Sequence, residues 1–387
     1  MPESTRSSTE TDSHVYVTIL AGGIGSRFWP ASTPRRPKQL LPLASDEPLI
    51  LDTVNRALGL VPEERIRILA SDRLTDLILE VVPDLGREAF MVEPQARGTG
   101  PVLAWAAWEI AKIDPAAVIV SLHADHFIQP EAAFLRLLRD AAGLAQETGL
   151  LFTVSVLPSR PETGYGYIEP GDPLPAPAGV RAFAVGAFHE KPDTETAHRY
   201  IDAGHFWNSG LFVWRASAFL SELKAVAPEI GDLLPLIDDE SAEAFFAQVP
   251  DIPVDVAVLE RSARVASVVA TFDWDDVGSW EGLARSRRAD SNGNVVLGAG
   301  HVVDGERNVI YAEGGTIVTF GVDDLVVVQC GDITLVSTTE RAPDLKGLLD
   351  RIPASVREQT TGAEPTTPEP TTARPRTAAP TIAEEGG

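Results

Sequence analysis

The 387-residue chain is poor in cysteine, in positive charge and in long apolar runs. With one cysteine, Cys330, no internal disulfide can form, and a reducing cytoplasm is the expected compartment. Cys330 sits in a valine-rich run and reads as a small buried hydrophobe rather than a nucleophile. No apolar run approaches the roughly 18–20 residues needed to cross a bilayer. The opening stretch, Met1 to His14, is polar and rich in Ser, Thr and Glu, unlike a secretory signal. Lys and Arg number 32 against 56 Asp and Glu, a net charge of −24, so nucleic acid and anionic membranes are poor partners.

Against that deficit, Arg27, Arg35, Arg36 and Lys38 gather beside a glycine-rich stretch, Leu20-Ala21-Gly22-Gly23-Ile24-Gly25-Ser26-Arg27. It follows an apolar strand, Val15 to Leu20. Gly22, Gly23 and Gly25 let backbone N–H groups turn toward an anion, and Arg27 adds a planar charged fork. Positive charge concentrated on an acidic protein focuses field on an anionic substrate, so the stretch reads as a polyphosphate site. A merely solvated basic patch is the plain alternative. Two common owners of such a loop fail. A dinucleotide fingerprint needs a third glycine where Phe28 stands, and a P-loop needs a Gly-Lys-Ser/Thr ending that is absent.

Short apolar runs alternate with amphipathic stretches through the first half. Strands are expected at 15–20, 66–70, 90–93, 118–122 and 150–156. Helices are expected at 51–59, 75–82, 101–113 and 131–147. That alternation implies right-handed crossovers, a mostly parallel sheet, and ligands beyond the carboxyl ends of its strands. Residues 165–280 are less regular. Beyond Ser291, short β-branched runs punctuated by Gly, Asp and Asn read as a small β-rich, solenoid-like unit closed by a helix over 343–352. The expected organisation is a disordered start at 1–13, a nucleotide-binding α/β domain at 14–290, a β-rich domain at 291–353 and a disordered Thr/Pro-rich tail at 354–387.

Further candidate chemistry lies at loop positions. Glu93-Pro94-Gln95-Ala96-Arg97-Gly98-Thr99-Gly100-Pro101 leads into a helix, and Glu93 suits the exocyclic donors of a purine; a solvated Glu at a capped helix start is the alternative. Trp105 and Trp108 read as core. Asp125 ends the strand 118–122, flanked by His123 and His126. With no third strong ligand at a metal-binding spacing, zinc is disfavoured, and Mg²⁺ held by Asp125 and a second carboxylate such as Asp276 fits better. Pro161 to Ile168, His189-Glu190-Lys191-Pro192 and Trp207-Asn208-Ser209-Gly210 each suit a sugar or its phosphate, although singly each is a common turn or core motif.

In this order the motifs resemble the sugar nucleotidyltransferases, and among them the mannose-1-phosphate guanylyltransferase (GDP-mannose pyrophosphorylase) family. The carrying residues are Leu20–Arg27 with Pro37-Lys38-Gln39, Glu93–Pro101, Ala124-Asp125-His126, Pro161–Ile168, Glu190-Lys191-Pro192, Trp207–Gly210, Val254–Glu260 and Asp276–Trp280, spread over about residues 15–350. The resemblance implies a glycosyltransferase-A-like domain followed by a small β-rich one. It implies GTP and mannose 1-phosphate as substrates, Mg²⁺ as cofactor, and in-line attack on the α-phosphate. Arg27, Lys38 and Asp125 would be catalytic. Leu20, Ala21, Gly22, Gly23, Gly25, Glu93, Arg97 and Thr99 would bind the nucleotide. Gly166, Glu190, Lys191 and Asn208 would bind the sugar phosphate, and Asp125 and Asp276 the metal. Four positions depart from the family pattern: Gly98 and Gly100 interrupt Arg-Asn-Thr-Ala-Pro, His123 replaces Pro, and Asp275 replaces Ser. Many relatives carry a C-terminal phosphomannose isomerase domain that this length cannot hold, so a single activity is expected. A relative using another sugar or nucleotide is the alternative within the class. An inert sugar-nucleotide sensor is disfavoured, because Arg27, Lys38, Asp125 and Asp276 are all present. A homodimer is compatible with the sequence.

Overall fold

β1 (Val15–Leu20) is buried along its whole length, as a strand covered on both faces must be. A computed structural model describes residues 13–23 and 25–357 of the chain. The expected tail from 358 onward and the start through residue 12 therefore lie outside the described residues. β1 pairs in parallel with β2 (Ile66–Ser71) and β4 (Val118–His123), and β2 with β3 (Phe90–Glu93). Helices Leu49–Leu58, Asp72–Leu79, Thr99–Ile113 and Glu131–Thr148 cross between these strands or follow them. All but one of their observed starts lie two or three residues before the expected ones.

The sheet has nine strands, in the order β3-β2-β1-β4-β9-β6-β10-β8-β7. Parallel pairing dominates one side. The other side is mixed, because β9 (Phe206–Arg215) runs antiparallel between β4 and β6 (Leu151–Val156). β10 (Val265–Val269) is parallel to β6 and antiparallel to β8 (Ala182–His189), and β7 (Tyr167–Leu174) is antiparallel to β8 and β9. Two large apolar clusters cover the two faces, one around Ile19, Val120 and Phe134 and the other around Ile119, Trp214 and Phe219. A short ribbon, β5 (Phe127–Gln129) with β11 (Asp273–Asp275), brings the 273–278 segment over the carboxyl end of β4.

The C-terminal unit is a small solenoid. β12 (Val295–Val303), β13 (Val309–Phe320) and β14 (Leu325–Cys330) stack in parallel, and β15 (Ile333–Thr338) closes antiparallel to β14. The expected short runs, 295–297, 301–303, 309–311, 316–320, 325–330 and 333–336, merge into four strands, since β12 and β13 continue through their glycines. Asn294 and Asn308 repeat at one corner: the Asn308 N–H donates to Asn294 Oδ1 at 2.9 Å, and the Leu325 N–H to Asn308 Oδ1 at 3.0 Å. The closing helix is shorter than 343–352. Pro343 lies in a 3-10 turn, and the α-helix covers Leu345–Leu349. A further helical turn, Ala354–Arg357, stands where the tail was expected to begin.

This unit is not a detached appendage. One apolar cluster joins Phe28, Trp29 and Leu41 with Val277 and Trp280, and with Val309, Tyr311, Val326 and Cys330. The Phe28 ring meets Trp280 edge-on at 4.9 Å, and Trp280 lies 5.3 Å from Tyr311. Phe28 thus anchors the glycine-rich stretch to the β-rich unit, a job no third glycine could do.

Candidate active site

The glycine-rich turn leaves β1 between its two parallel neighbours. The Ala21 N–H donates to Leu69 O and the Ala124 N–H to Leu20 O, both at 3.0 Å, and Gln39 Nε2 donates to Ala21 O at 2.8 Å. Gly25 is left-handed, with φ 74°. A Cβ there would fall 2.3 Å from Lys38 Cβ, so the turn and the lysine segment are packed backbone to side chain. Leu20, Ala21, Gly22, Gly23 and Gly25 line a cavity of about 330 Å³ with Lys38, Glu93, Thr99 and Asp125. These sequence-assigned residues are thus brought together at the carboxyl ends of β1, β3 and β4.

Lys38 is buried, and its ammonium donates to Asp125 Oδ2 and to the Asp276 backbone carbonyl, each at 2.8 Å. One cation therefore joins two carboxylate-bearing segments that lie far apart along the chain. Burial alone would raise the Asp125 carboxyl, but Lys38, His126 and His123 outweigh it and hold the group at about 2. Asp125 is thus a carboxylate at any physiological pH. The Asp276 carboxylate accepts from the Tyr165 hydroxyl at 2.7 Å and from the Gly278 N–H at 2.9 Å, both on Oδ1. Its pKa is raised, first by burial, with Lys38 and Tyr165 opposing. Asp275, the residue in place of the family's Ser, is turned away from the cavity; it accepts from Arg285 Nε at 2.8 Å and from the Val277 N–H at 2.9 Å.

The segment after β4 is braced from behind. The Arg56 guanidinium donates to His126 O at 3.1 Å and to Thr53 Oγ1 at 2.8 Å. His126 stacks on His123 at 4.6 Å and accepts at Nδ1 from Trp274 Nε1 at 3.1 Å. The fold does bring ligand atoms of His123, Asp125 and His126 within 4.8 Å of one another, a set that sequence spacing alone discounted. Burial, first of all, depresses both imidazoles, and the Lys38 ammonium occupies the shared carboxylate.

Gly166 just before β7, Glu190 and Lys191 just after β8, and Asn208 on β9 form a second group next to Tyr165. The Asn208 N–H donates to Gly166 O at 2.9 Å, and Glu190 lies over Gly166 with Oε2 2.9 Å from where a side chain would begin. Glu190 pairs with Lys191, whose backbone is left-handed at φ 42°. Asn208 accepts at Oδ1 from Thr153 Oγ1 at 2.7 Å and donates from Nδ2 to Asp255 Oδ1 at 2.9 Å. Burial, then the Glu190 charge, pushes the Asp255 carboxyl up to about 6. Asp255 was legible only as part of a matching segment, and Tyr165 only as the neighbour of Gly166. Arg56 carried no sequence signal at all.

Other assigned residues stand apart. Arg27 is exposed on the 3-10 turn Ser26–Phe28, off the cavity lining. Arg97 points outward, donating from Nε to Phe246 O at 2.9 Å and from its terminal nitrogen to Gln95 Oε1. The basic cluster is also divided. Arg36 forms a two-pronged ion pair with Glu313 of the β-rich unit at 2.5 and 2.6 Å, and Arg35 is exposed. Only Lys38 of that cluster lines the cavity. Glu93 does line it, and burial raises its carboxyl to about 7. The two departures at Gly98 and Gly100 have a local cause: a Cβ at either would come 2.8 Å from Ile252 O, where a crossing segment hydrogen-bonds the loop. Thr99 Oγ1 accepts from the Val254 N–H at 2.9 Å in the same contact.

Cys330 is fully buried beside Glu313, and burial first, then that carboxylate, raises its thiol to about 12, which removes it as a nucleophile. No helix among the described residues is long and apolar enough to cross a membrane.

Residues 16–293 match the nucleotidyl transferase family model, and residues 293–352 match the mannose-phosphate isomerase/GMP-like β-helix domain. The chain is 36% identical over 362 residues to a mannose-1-phosphate guanylyltransferase of Escherichia coli K12, covering 90% of this chain and 75% of that one. It is also 36% identical to the guanylyltransferase ManC of Salmonella typhimurium, over 89% of this chain and 74% of that one. A solved structure from Thermus thermophilus, described as a mannose-1-phosphate geranyltransferase, superposes with a TM-score of 0.80 at 32% identity, over 87% of this chain and 99% of that one.

Proposed function

The chain belongs to the nucleotidyl transferase family, among its mannose-1-phosphate guanylyltransferases, and we propose that it catalyses that reaction. GTP and mannose 1-phosphate give GDP-mannose and pyrophosphate. An oxygen of the sugar phosphate attacks the α-phosphorus of GTP in line. The bond from that phosphorus to the oxygen bridging to the β-phosphate breaks, and pyrophosphate leaves with the electron pair. No protein nucleophile is required, because transfer of this kind is chiefly positioning and charge stabilisation.

The observation that carries this reading is the Lys38 ammonium, held at 2.8 Å from both Asp125 and the Asp276 carbonyl at the mouth of the glycine-lined cavity. The N–H groups of Gly22, Gly23 and Gly25 cradle the triphosphate, and Lys38 stabilises charge that develops on it. Arg27, exposed at the loop's end, closes onto the departing pyrophosphate. Glu93 accepts from the base, Thr99 shapes its pocket, and Arg97 braces that loop from outside through the Phe246 carbonyl. Gly166, Glu190, Lys191 and Asn208 receive mannose 1-phosphate, with Asp255 fixing the orientation of the Asn208 amide.

The same carboxylates suit Mg²⁺. Lys38 engages Oδ2 of Asp125, and Tyr165 and Gly278 engage Oδ1 of Asp276, so each group has a second oxygen to offer a hard cation. Asp125 and Asp276 would hold it, and when bound it neutralises phosphate charge and orients the triphosphate. The single buried cysteine supports a cytoplasmic setting for the enzyme.

The test is pyrophosphate release with Mg²⁺ across four nucleoside triphosphates and several sugar 1-phosphates. Turnover is expected with GTP and mannose 1-phosphate. No turnover with any pair overturns the enzyme, and preference for another base overturns only the base assignment.

A further inference from the structure

Away from the cavity, the β8-β7-β9 edge of the sheet carries a cluster that the transfer reaction does not use. Tyr167 of β7 lies opposite His189 on one side and Trp207 on the other. Two residues along, Glu169 is on the same face as Tyr167, between His189 at the end of β8 and His205 just before β9. His189 Nε2 lies 3.9 Å and His205 Nε2 4.0 Å from Glu169 Oε2, and one ligand atom from each of the three falls within 4.8 Å of the others.

The two imidazoles are held in place. Both stack on the Tyr200 ring, at 4.7 Å for His189 and 4.8 Å for His205, with interplanar angles of 20° and 11°. The backbone N–H of His205 is tied to Tyr200 O at 2.9 Å. The His205 side chain is only 9% exposed, yet its Nδ1 has no hydrogen-bond partner, and its Nε2 faces Glu169 at a distance too long for a hydrogen bond. Nε2, the nitrogen turned toward Glu169, is therefore not hydrogen-bonded to that carboxylate and is open to a cation between them. Glu169, by contrast, is about half exposed, so its carboxylate can swing inward and the site is open to solvent.

We propose that Glu169, His189 and His205 form a second metal site, taking a zinc-class divalent cation and separate from the Asp125–Asp276 carboxylates. Two imidazoles and one carboxylate, with a fourth position open to water, are a donor set suited to zinc rather than magnesium. At zinc–ligand lengths of about 2.0–2.2 Å, tetrahedral donors lie roughly 3.4 Å apart, so the Glu169 carboxylate closes by about half an ångström on each imidazole, and the two ring nitrogens, which lie within 4.8 Å, draw together through the partly exposed His189 ring. The bound ion staples three neighbouring strands, with His189 immediately before Glu190.

The experiment is zinc titration by calorimetry, with Co²⁺ absorption as a geometric probe, on the Asp125→Asn protein, in which the His123–Asp125–His126 set lacks its carboxylate. One equivalent of zinc and the visible bands of tetrahedral Co²⁺ are expected. Adding Glu169→Gln, or separately His189→Ala, should weaken zinc binding about tenfold or more and abolish those bands. Both replaced side chains are partly exposed, so melting without metal should match the parent, while zinc-induced stabilisation disappears. Zinc affinity within twofold of the parent in both variants overturns the site. So does the absence of zinc binding in the Asp125→Asn protein.

Discussion

Gly25→Ala is the sharpest perturbation of the proposed phosphate turn, because one methyl group acts on both backbone and lysine. Gly25 sits at φ 74°, where an L-residue costs roughly 1–2 kcal/mol. The new Cβ would lie 2.3 Å from Lys38 Cβ, against a normal carbon–carbon contact of about 3.5–4.0 Å. The obstructing atom is attached to the backbone of a buried residue, so it cannot swing aside as a side-chain tip would. Overpacking of this kind costs roughly 1–3 kcal/mol, for a total of about 2–5 kcal/mol. Relief requires the Lys38 segment to retreat, which pulls the ammonium from its two 2.8 Å acceptors. A misplacement near 1 Å in such a group costs about 10²-fold in turnover. Gly23→Ala is the control for stability: a Cβ there meets nothing within 4 Å, and the melting temperature should hardly move. Thermal unfolding and pyrophosphate release, run side by side, make the comparison. Equal melting temperatures for the two variants, with Gly25→Ala keeping more than half the parental kcat, would refute the coupling of turn to lysine.

Asp125→Asn and Asp276→Asn should each lose most turnover in the Mg²⁺-dependent assay while folding normally; near-parental kcat in either removes that residue from the metal site. Arg36 and Glu313, both about one-third exposed, form the two-pronged link between the lysine segment and the β-rich unit. A double-mutant cycle of Arg36→Ala and Glu313→Ala should give a coupling of about 1 kcal/mol in denaturant unfolding, and a value near zero would show the pair contributes nothing. Glu93 offers a pH prediction. Its folded pKa, about 7, is raised above the ordinary value of 4.5, so between those pH values the folded state holds more protons than the unfolded one. Glu93 therefore weighs nothing against the fold below about pH 4.5 and progressively destabilises it as pH rises to about 7. Glu93→Gln should gain stability relative to the parent at about pH 8 and not at about pH 4.5, and equal differences at both pH values would contradict the raised pKa of the half-buried Glu93.

The local rules of the chain were strong enough to read β1, β3, β4 and their crossover helices, because apolar runs flanked by amphipathic stretches admit few other arrangements. They also made the glycine turn legible, since three glycines beside scarce positive charge have few other uses. Residue chemistry suggested roles for Asp276, Asn208 and Glu190, and family resemblance tied them to one reaction. Three-dimensional packing settled what periodicity has no means to express. Arg36 and Lys38 are two residues apart, yet one faces Glu313 and the other Asp125, since Arg36 closes a turn bridged to Thr33 and Lys38 begins the 3-10 turn after Pro37. The bracing contacts of Arg56, Tyr165 and Asp255 became visible only once distant segments stood side by side. The β-rich unit, readable as a separate domain, proved to be the floor under Phe28 and Val277, and so part of what holds Lys38 and Asp276 together. Sequence patterns record which face of an element avoids water; which charged group finds which partner is decided by where the folded chain crosses itself.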